Sequence, residues 1–249
     1  MTPPRLHIGA LDIDTVTFDG ALREIERLVQ AGRGGAVFTP NVDHVMIAER
    51  DAPLREAYAR ADLALADGVP ILWASRLIGP RVPQKVSGSD LMLPLLKLAA
   101  AQRWRVYLLG GADGVAHQAA QALRETLGVN VVGVDDSRIE LAVSAGEQEI
   151  TQRIVAAQPH LLLVALGCPK QERYIHRVRD TLGGTVSIGI GASLDFITGR
   201  VSRAPVWMQR SGLEWSYRLL QEPGRLWKRY LVKDTQFLLV VLRTLLRRP

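Results

Sequence analysis

The 249-residue chain has one cysteine, Cys168, so no internal disulfide can form. That suits a reducing compartment. No run of about 18 uncharged apolar residues occurs, and no transmembrane helix is expected. The longest candidate, Phe237 to Leu246, is too short to span a bilayer and is interrupted by Arg243. The opening MTPPRLHIGALDIDTVTFDG lacks a basic stretch followed by an apolar run, so no signal peptide is read. The five histidines (His7, His44, His117, His160, His176) show no paired-ligand spacing, and no metal site is expected from them. Repeats and low-complexity segments are also missing, which excludes solenoids and disordered arrays.

What is present is ordinary globular material. With 47% hydrophobic and 22% charged residues, a chain of this length can bury its own core. Its net charge of +6 is unevenly placed. From Arg203 to Pro249 there are ten Lys/Arg and three Asp/Glu, a balance of +7, which leaves −1 for the first 202 residues. The same stretch holds Trp207, Trp215 and Trp227, three of the five tryptophans. A basic, Trp-bearing tail points to an anionic partner: a phosphate, a nucleic acid or a lipid surface. The change at Arg203-Ala204-Pro205 divides the chain into a core, 1–202, and an appendage, 203–249, read as two or three helices broken at Pro223-Gly224.

The middle of the chain alternates short apolar runs with helical periodicity. Strands are expected at Arg105–Leu109, Asn130–Val134, Leu161–Leu166 and Thr185–Ile190. Helices are expected at Val115–Leu127, Ala145–Ala157 and from Pro169 to about Asp180. The continuous apolar run LLLVAL is the pattern of a strand buried on both faces. In the N-terminal third, strands at Ala36–Phe38 and Leu63–Leu65 alternate with one helix from Asp43 to Arg60 and others near Pro70–Ile78 and Asp90–Gln102. The order predicts an α/β fold with a parallel sheet and helices on both faces. Ligands of such sheets bind beyond the carboxyl ends of the strands. That places Thr39, Asn41, Asp67, Gly110, Gly111 and the Pro169–Glu172 segment along one crevice.

Each of these residues has a chemical reading and a plain one. The Gly110-Gly111 turn between a strand and a helix lets backbone N–H groups approach a phosphate, and it is also an ordinary tight turn. Asp135 and Asp136 follow the next strand, where a carboxylate can bond ribose hydroxyls or a divalent ion. Asp67, beside Gly68, can serve as a general base on a hydroxyl, or as a turn or cap residue. Thr39 and Asn41 offer a hydroxyl and an amide for positioning a sugar or base, or simply cap the helix that follows. Pro169 and Glu172 suit the first turn of a helix, which leaves Lys170 and Gln171 to reach a ligand. Cys168 reads as a buried structural thiol, since no histidine motif accompanies it.

These segments together resemble the WecG/TagA/CpsF glycosyltransferase family of bacterial surface-polysaccharide synthesis. The resemblance is carried by TPNVDH (Thr39–His44), RADLALADGVPILWASRLIG (Arg60–Gly79), VSGSDL (Val86–Leu91), LLGG (Leu108–Gly111), LLLVALGCPKQE (Leu161–Glu172), GIGASLDFITGRVSRAP (Gly189–Pro205) and GLEWSYRLLQEPGRLWKRY (Gly212–Tyr230). It implies a Rossmann-like core with a C-terminal appendage. It implies an inverting transfer, without metal or other cofactor, from a UDP-sugar to a polyprenyl-diphosphate-linked saccharide at the cytoplasmic face of the membrane. Carried over position by position, Asp67 is the base, Thr39, Asn41 and Gln171 are active-site residues, and Arg218 and Arg225 close over the donor diphosphate. N-acetylmannosamine, its uronic acid and glucose are the sugars in view. A homo-oligomer is compatible with this reading, and nucleic acid has no place in it. The sequence departs from many members at Asp135–Ile139, where they carry a segment rich in proline, phenylalanine and glycine. A nicotinamide-dependent oxidoreductase and a noncatalytic phosphate- or nucleic-acid-binding module are the competing readings.

Overall fold

The computed structural model describes residues 4–111, 114–141, 144–201 and 234–246, and, between the last two ranges, positions 204, 205, 208, 216, 217, 220 and 224. The chain opens with an antiparallel hairpin, β1 (Arg5–Ile8) and β2 (Leu11–Asp14), which buries Leu6, Ile8, Leu11 and Ile13. The sequence reading assigned no element here. The hairpin is tied to the main sheet through Asp14, whose carboxylate accepts from Ala64 N–H at 2.7 Å and from Arg5 Nε at 2.8 Å. Helix α1 (Phe18–Ala31) follows, capped by Thr17 Oγ1 on Gly20 N–H and ended by a left-handed Gly32.

The main sheet has six parallel strands. They are β3 (Gly35–Phe38), β4 (Leu63–Ala64), β5 (Arg105–Gly110), β6 (Asn130–Asp135), β7 (Leu161–Ala165) and β8 (Val186–Gly189), in the spatial order β4-β3-β8-β7-β5-β6. The chain thus builds one edge, moves to the other, and finishes in the middle. The expected α/β class and parallel sheet are borne out.

Helices cover both faces. One face carries α2 (Val42–Ala48), α3 (Ala52–Ala59), α4 (Val69–Ile78), α7 (Ala145–Ala157) and α8 (Lys170–Val178), packed on Phe38, Tyr107, Leu109, Leu162 and Val164. The other carries α1, α5 (Gly88–Ala101), α6 (Val115–Leu127) and the short α9 (Ser193–Ile197), on Val37, Val106, Leu108, Leu161 and Leu163. Successive strand residues point to opposite faces, so continuous apolar runs fill both cores.

The single helix expected from Asp43 to Arg60 is two. Asp51 caps α3 by accepting from Leu54 N–H at 2.9 Å, and Pro53, in the first turn, has no N–H to continue an earlier helix. Past residue 201, the C-terminal helix α10 (Asp234–Leu246) lies against β1, α2 and α4, with Phe237, Val240 and Val241 buried. Thr244 Oγ1 accepts from Gly9 N–H at 3.1 Å, and Arg243 pairs with Glu49. The other helices expected in the appendage fall on stretches mostly outside the described residues.

Candidate active site

Five loops leave the carboxyl ends of β3, β4, β5, β7 and β8 and enclose a cavity of ≈ 670 Å³. That volume falls in the range of small-ligand sites. Thr39, Asn41 and Asp67 line one side and Gly111 lies on the wall from β5. Leu166–Cys168 with Gln171, and Ile190–Phe196, supply much of the rest, and His44 lines it beside Asn41.

Asp67 is set in place by its backbone. Its N–H donates to Pro40 O at 2.8 Å, continuing the pairing begun by Leu65 N–H on Phe38 O at 2.8 Å. The preceding Ala66 carbonyl accepts from Val86 N–H at 2.8 Å. The Asp67 loop and the Thr39–Asn41 loop are therefore one rigid unit. Thr39 is buried, and its hydroxyl lies 3.5 Å from Gly189 O, at the mouth of the adjacent strand. Asn41 is the N-cap of α2. Its Oδ1 accepts from Asp43 N–H at 3.0 Å and His44 N–H at 3.4 Å.

The β5 wall is backbone. Gly110 and Gly111 have φ of 91° and 84°, a region costly for residues with a Cβ. At Gly110 a Cβ would also meet Ala165 O at 2.7 Å. These two positions bring the main chain itself to the cavity ahead of α6.

Behind the β7 loop lies a buried polar cluster. Glu172 is 0% exposed and does not cap its own helix: its Oε1 accepts from Gln171 Nε2 at 2.7 Å and stands 3.4 Å from His44 Nε2. Gln171 Oε1 in turn accepts from Gly191 N–H at 3.0 Å, so both ends of this amide hold protein partners. The Tyr58 ring meets the His44 ring edge-on at 6.5 Å. Burial first, then the negative charge of Glu172, pushes the Tyr58 phenol well above its ordinary range. Among the described residues, His44, Cys168 and Glu172 are the one group that could hold a metal, with ligand atoms within 4.8 Å of one another. Linear spacing could not reveal it, because His44 comes from a different segment.

The sequence matches the model of the "Glycosyl transferase WecG/TagA/CpsF family" over residues 6–249. The chain belongs to this family. Two relatives carry the name N-acetylglucosaminyldiphosphoundecaprenol N-acetyl-beta-D-mannosaminyltransferase. The protein from Bacillus spizizenii is 32% identical over 231 residues, 92% of this chain and 87% of the relative. That from Bacillus subtilis is 32% identical over 199 residues, 80% of this chain and 75% of the relative. The WecG/TagA/CpsF assignment makes the chain a glycosyltransferase.

Within this WecG/TagA/CpsF chain, Thr39, Asn41, Asp67, Gly111 and Gln171 converge on the cavity, with Gly110 directly behind Gly111. Asp135 and Asp136 are not among its lining residues. Asp135 is buried at the end of β6, where it accepts from Ser137 N–H at 2.9 Å and Arg153 Nε at 2.9 Å. Burial raises its carboxyl, but the Ser137 hydrogen bonds and the Arg153 guanidinium more than offset this and hold it below its usual range. Lys170 points elsewhere too, pairing with Glu140 at 2.9 Å. Arg218 and Arg225 lie outside the described residues. The lining further includes Asp43, Ser89, Asp195 and Arg200, which the sequence reading did not single out although all four fall inside quoted motifs. Asp43, Asp67 and Asp195 make the described wall acidic, and Arg200 is its one arginine or lysine.

Proposed function

We propose that this chain transfers N-acetylmannosamine or a related sugar, with inversion, from a UDP-sugar to a polyprenyl-diphosphate-linked saccharide, on the inner face of the cell membrane. The observation that carries the reading is Asp67, held rigidly against the Thr39–Asn41 loop on the wall of a cavity large enough for a nucleotide sugar. N-acetylmannosamine leads because two relatives are named for its transfer, and their names also give a diphosphoundecaprenol-linked acceptor.

In this reading Asp67 removes the proton from the acceptor hydroxyl as its oxygen attacks the anomeric carbon. The bond from that carbon to the diphosphate oxygen breaks on the opposite face, and its electron pair leaves with UDP. Thr39 and Asn41 position the sugars. The Gly111 N–H is held by Ala165 O at 3.1 Å, so the Gly110-Gly111 turn serves the diphosphate by leaving room for it ahead of the N-terminus of α6. The described wall carries three carboxylates and one arginine, so it needs added positive charge to accept a diphosphate. The 203–249 segment, at +7, has that charge, and Arg218 and Arg225 are the arginines assigned to it. No metal is required by this scheme. Asp135, Asp136 and Lys170 have no part in it.

Membrane contact is supported by α10. Its inward face is buried, yet Leu238, Leu239, Leu242 and Leu246 are exposed on the other, beside Trp73 and Leu77 of α4. A helix with a second, exposed leucine face calls for a second apolar neighbour, and a bilayer surface met by a basic segment fits that need. No helix among the described residues is long and apolar enough to cross a membrane.

The test is to incubate full-length protein with a panel of UDP-sugars and a polyprenyl-diphosphate-linked N-acetylglucosamine acceptor, with and without EDTA. UDP release and glycolipid mass are the readouts. Acceptor-dependent release that survives EDTA, with one sugar gained by the lipid, is expected. Release abolished by EDTA and restored by a divalent ion would overturn the metal-free scheme. A donor that reacts without UDP release would overturn the donor class.

A further inference from the structure

We infer that Glu172 and His44 form a buried positioning pair that fixes the amides of Asn41 and Gln171 on the cavity wall. The kinetic consequence rests on the transfer reaction proposed above, whereas the geometry does not.

Glu172 makes no contact with the cavity; it stands behind the wall, wholly buried. Its Oε1 faces two groups. One is the Gln171 amide nitrogen at 2.7 Å, which turns the other end of that amide to Gly191 N–H. The second is His44 Nε2 at 3.4 Å, an ion-pair distance rather than an aligned hydrogen bond. A carboxylate only accepts, so the contact is attractive when Nε2 carries the hydrogen. The other ring nitrogen, Nδ1, lies 3.3 Å from Asn41 N and 2.8 Å from Asn41 Oδ1: in the neutral ring with its hydrogen on Nε2 it accepts from the Asn41 N–H, and only as imidazolium does it also donate to Oδ1. The imidazole is therefore a spacer between a buried carboxylate and Asn41.

Helix capping alone does not account for this arrangement. Asn41 already caps α2 through two backbone N–H groups and closes a capping box with His44, which the imidazole completes without Glu172. Burying a carboxylate behind that box costs more desolvation than a cap returns. What the pair adds is orientation. With Oδ1 held by two α2 backbone N–H groups and the Asn41 N–H held by His44, the orientation of Asn41 at the cavity is set. Two residues on the cavity wall, from β3 and β7 loops, are thus set by one hidden carboxylate.

Two measurements test this on the full chain. Nitrogen NMR of histidine-labelled protein, with His44→Gln used to identify the His44 signals, is expected to show a hydrogen on Nε2 and a changed ring signal in Glu172→Gln. A bare Nε2, including one shifted by zinc shared with Cys168 and Glu172, overturns the pair. The second is a double-mutant cycle on kcat/KM. Asn41→Ala and Glu172→Gln are each expected to lower it about tenfold, with the double variant no more than about threefold below the worse single one. Losses that multiply would show Glu172 acting apart from Asn41 and would sink the idea. Should Glu172→Gln fail to fold by circular dichroism, His44→Gln takes its place in the cycle. Should no donor be turned over, the proposed reaction is at fault, and the NMR result still decides the pair.

Discussion

The two flanks of the cavity are built from different materials. On the β3–β4 side the wall is made of side chains: Thr39, Asn41 and Asp67, each backed by hydrogen bonds that reach the next strand or helix. On the β5–β6 side the nearest chain is bare backbone at Gly110-Gly111, and the carboxylate one strand further out, Asp135, is committed to Arg153. Side chains with fixed protons and lone pairs suit bond making. A side-chain-free turn just ahead of a helix N-terminus suits an anion whose charge matters more than its identity. The nicotinamide reading required the outer carboxylate to hold a ribose, and the Arg153 pairing argues against that use.

Perturbing each flank sharpens the contrast. The largest effect belongs to Asp67. Asp67→Asn keeps the backbone bonds to Pro40 and is expected to leave the thermal midpoint almost unchanged while turnover falls roughly a hundredfold or more. Near-normal turnover would remove Asp67 from the role of base. On the other flank, Gly110→Ala drives a Cβ into the Ala165 carbonyl at positive φ, and is expected to cost about 2 kcal/mol or more of stability. Gly111→Ala has neighbours no nearer than 3.4 Å and shares only the strain of its φ, so its loss should show more in KM for the donor than in urea denaturation. Equal behaviour of the two variants would break the idea of a backbone cradle. Asp135→Asn is smaller still: about 1–2 kcal/mol of stability from the weakened Arg153 pair, with kcat/KM within a few-fold of wild type. A collapse of activity there would return Asp135 to the donor site.

The sequence exposed the glycine flank and the strand ends better than it exposed the wall behind them. Helices α6 and α7 begin and end where periodicity placed them, because their stops are local: Ser144 caps one and Gly128 ends the other. Asp67, Thr39 and Asn41 were legible because each follows a short apolar run, and an α/β sheet gathers such ends. Glu172 stands in the first turn of α8, where an acid was expected to suit the helix end, but that local role does not reveal what its carboxylate meets. Its burial comes from the packing of α8 on α3 and the sheet, which also brings it to His44 of α2, and no spacing within either segment encodes that. The β1–β2 hairpin was missed for a similar reason. Its four-residue strands carry little pattern, and it is secured by Asp14 on a strand 50 residues away.

The far end of the sheet provides a control that leaves both flanks alone. His160 precedes β7; its Nδ1 accepts from Arg105 N–H at 2.9 Å and its carbonyl from Val186 N–H at 2.9 Å, joining the starts of β5, β7 and β8. Burial first, then the charge of Arg105, holds its imidazole below 6.5. Burial, then Arg60, does the same to His176, with Glu56 pulling the other way ahead of the lesser effects of Arg179 and Asp180. Below pH 6.5 the unfolded chain takes up protons that the folded chain resists, so stability present above that pH is lost as pH falls toward the lowered folded values. The urea midpoint is therefore expected to drop between pH 7.5 and 5.5. His160→Asn, which keeps an acceptor near Arg105 N–H but does not titrate, should drop less over the same interval. An identical drop in both proteins would show that His160 binds its proton as easily folded as unfolded, and that the amino ends of these strands do not resist protonation.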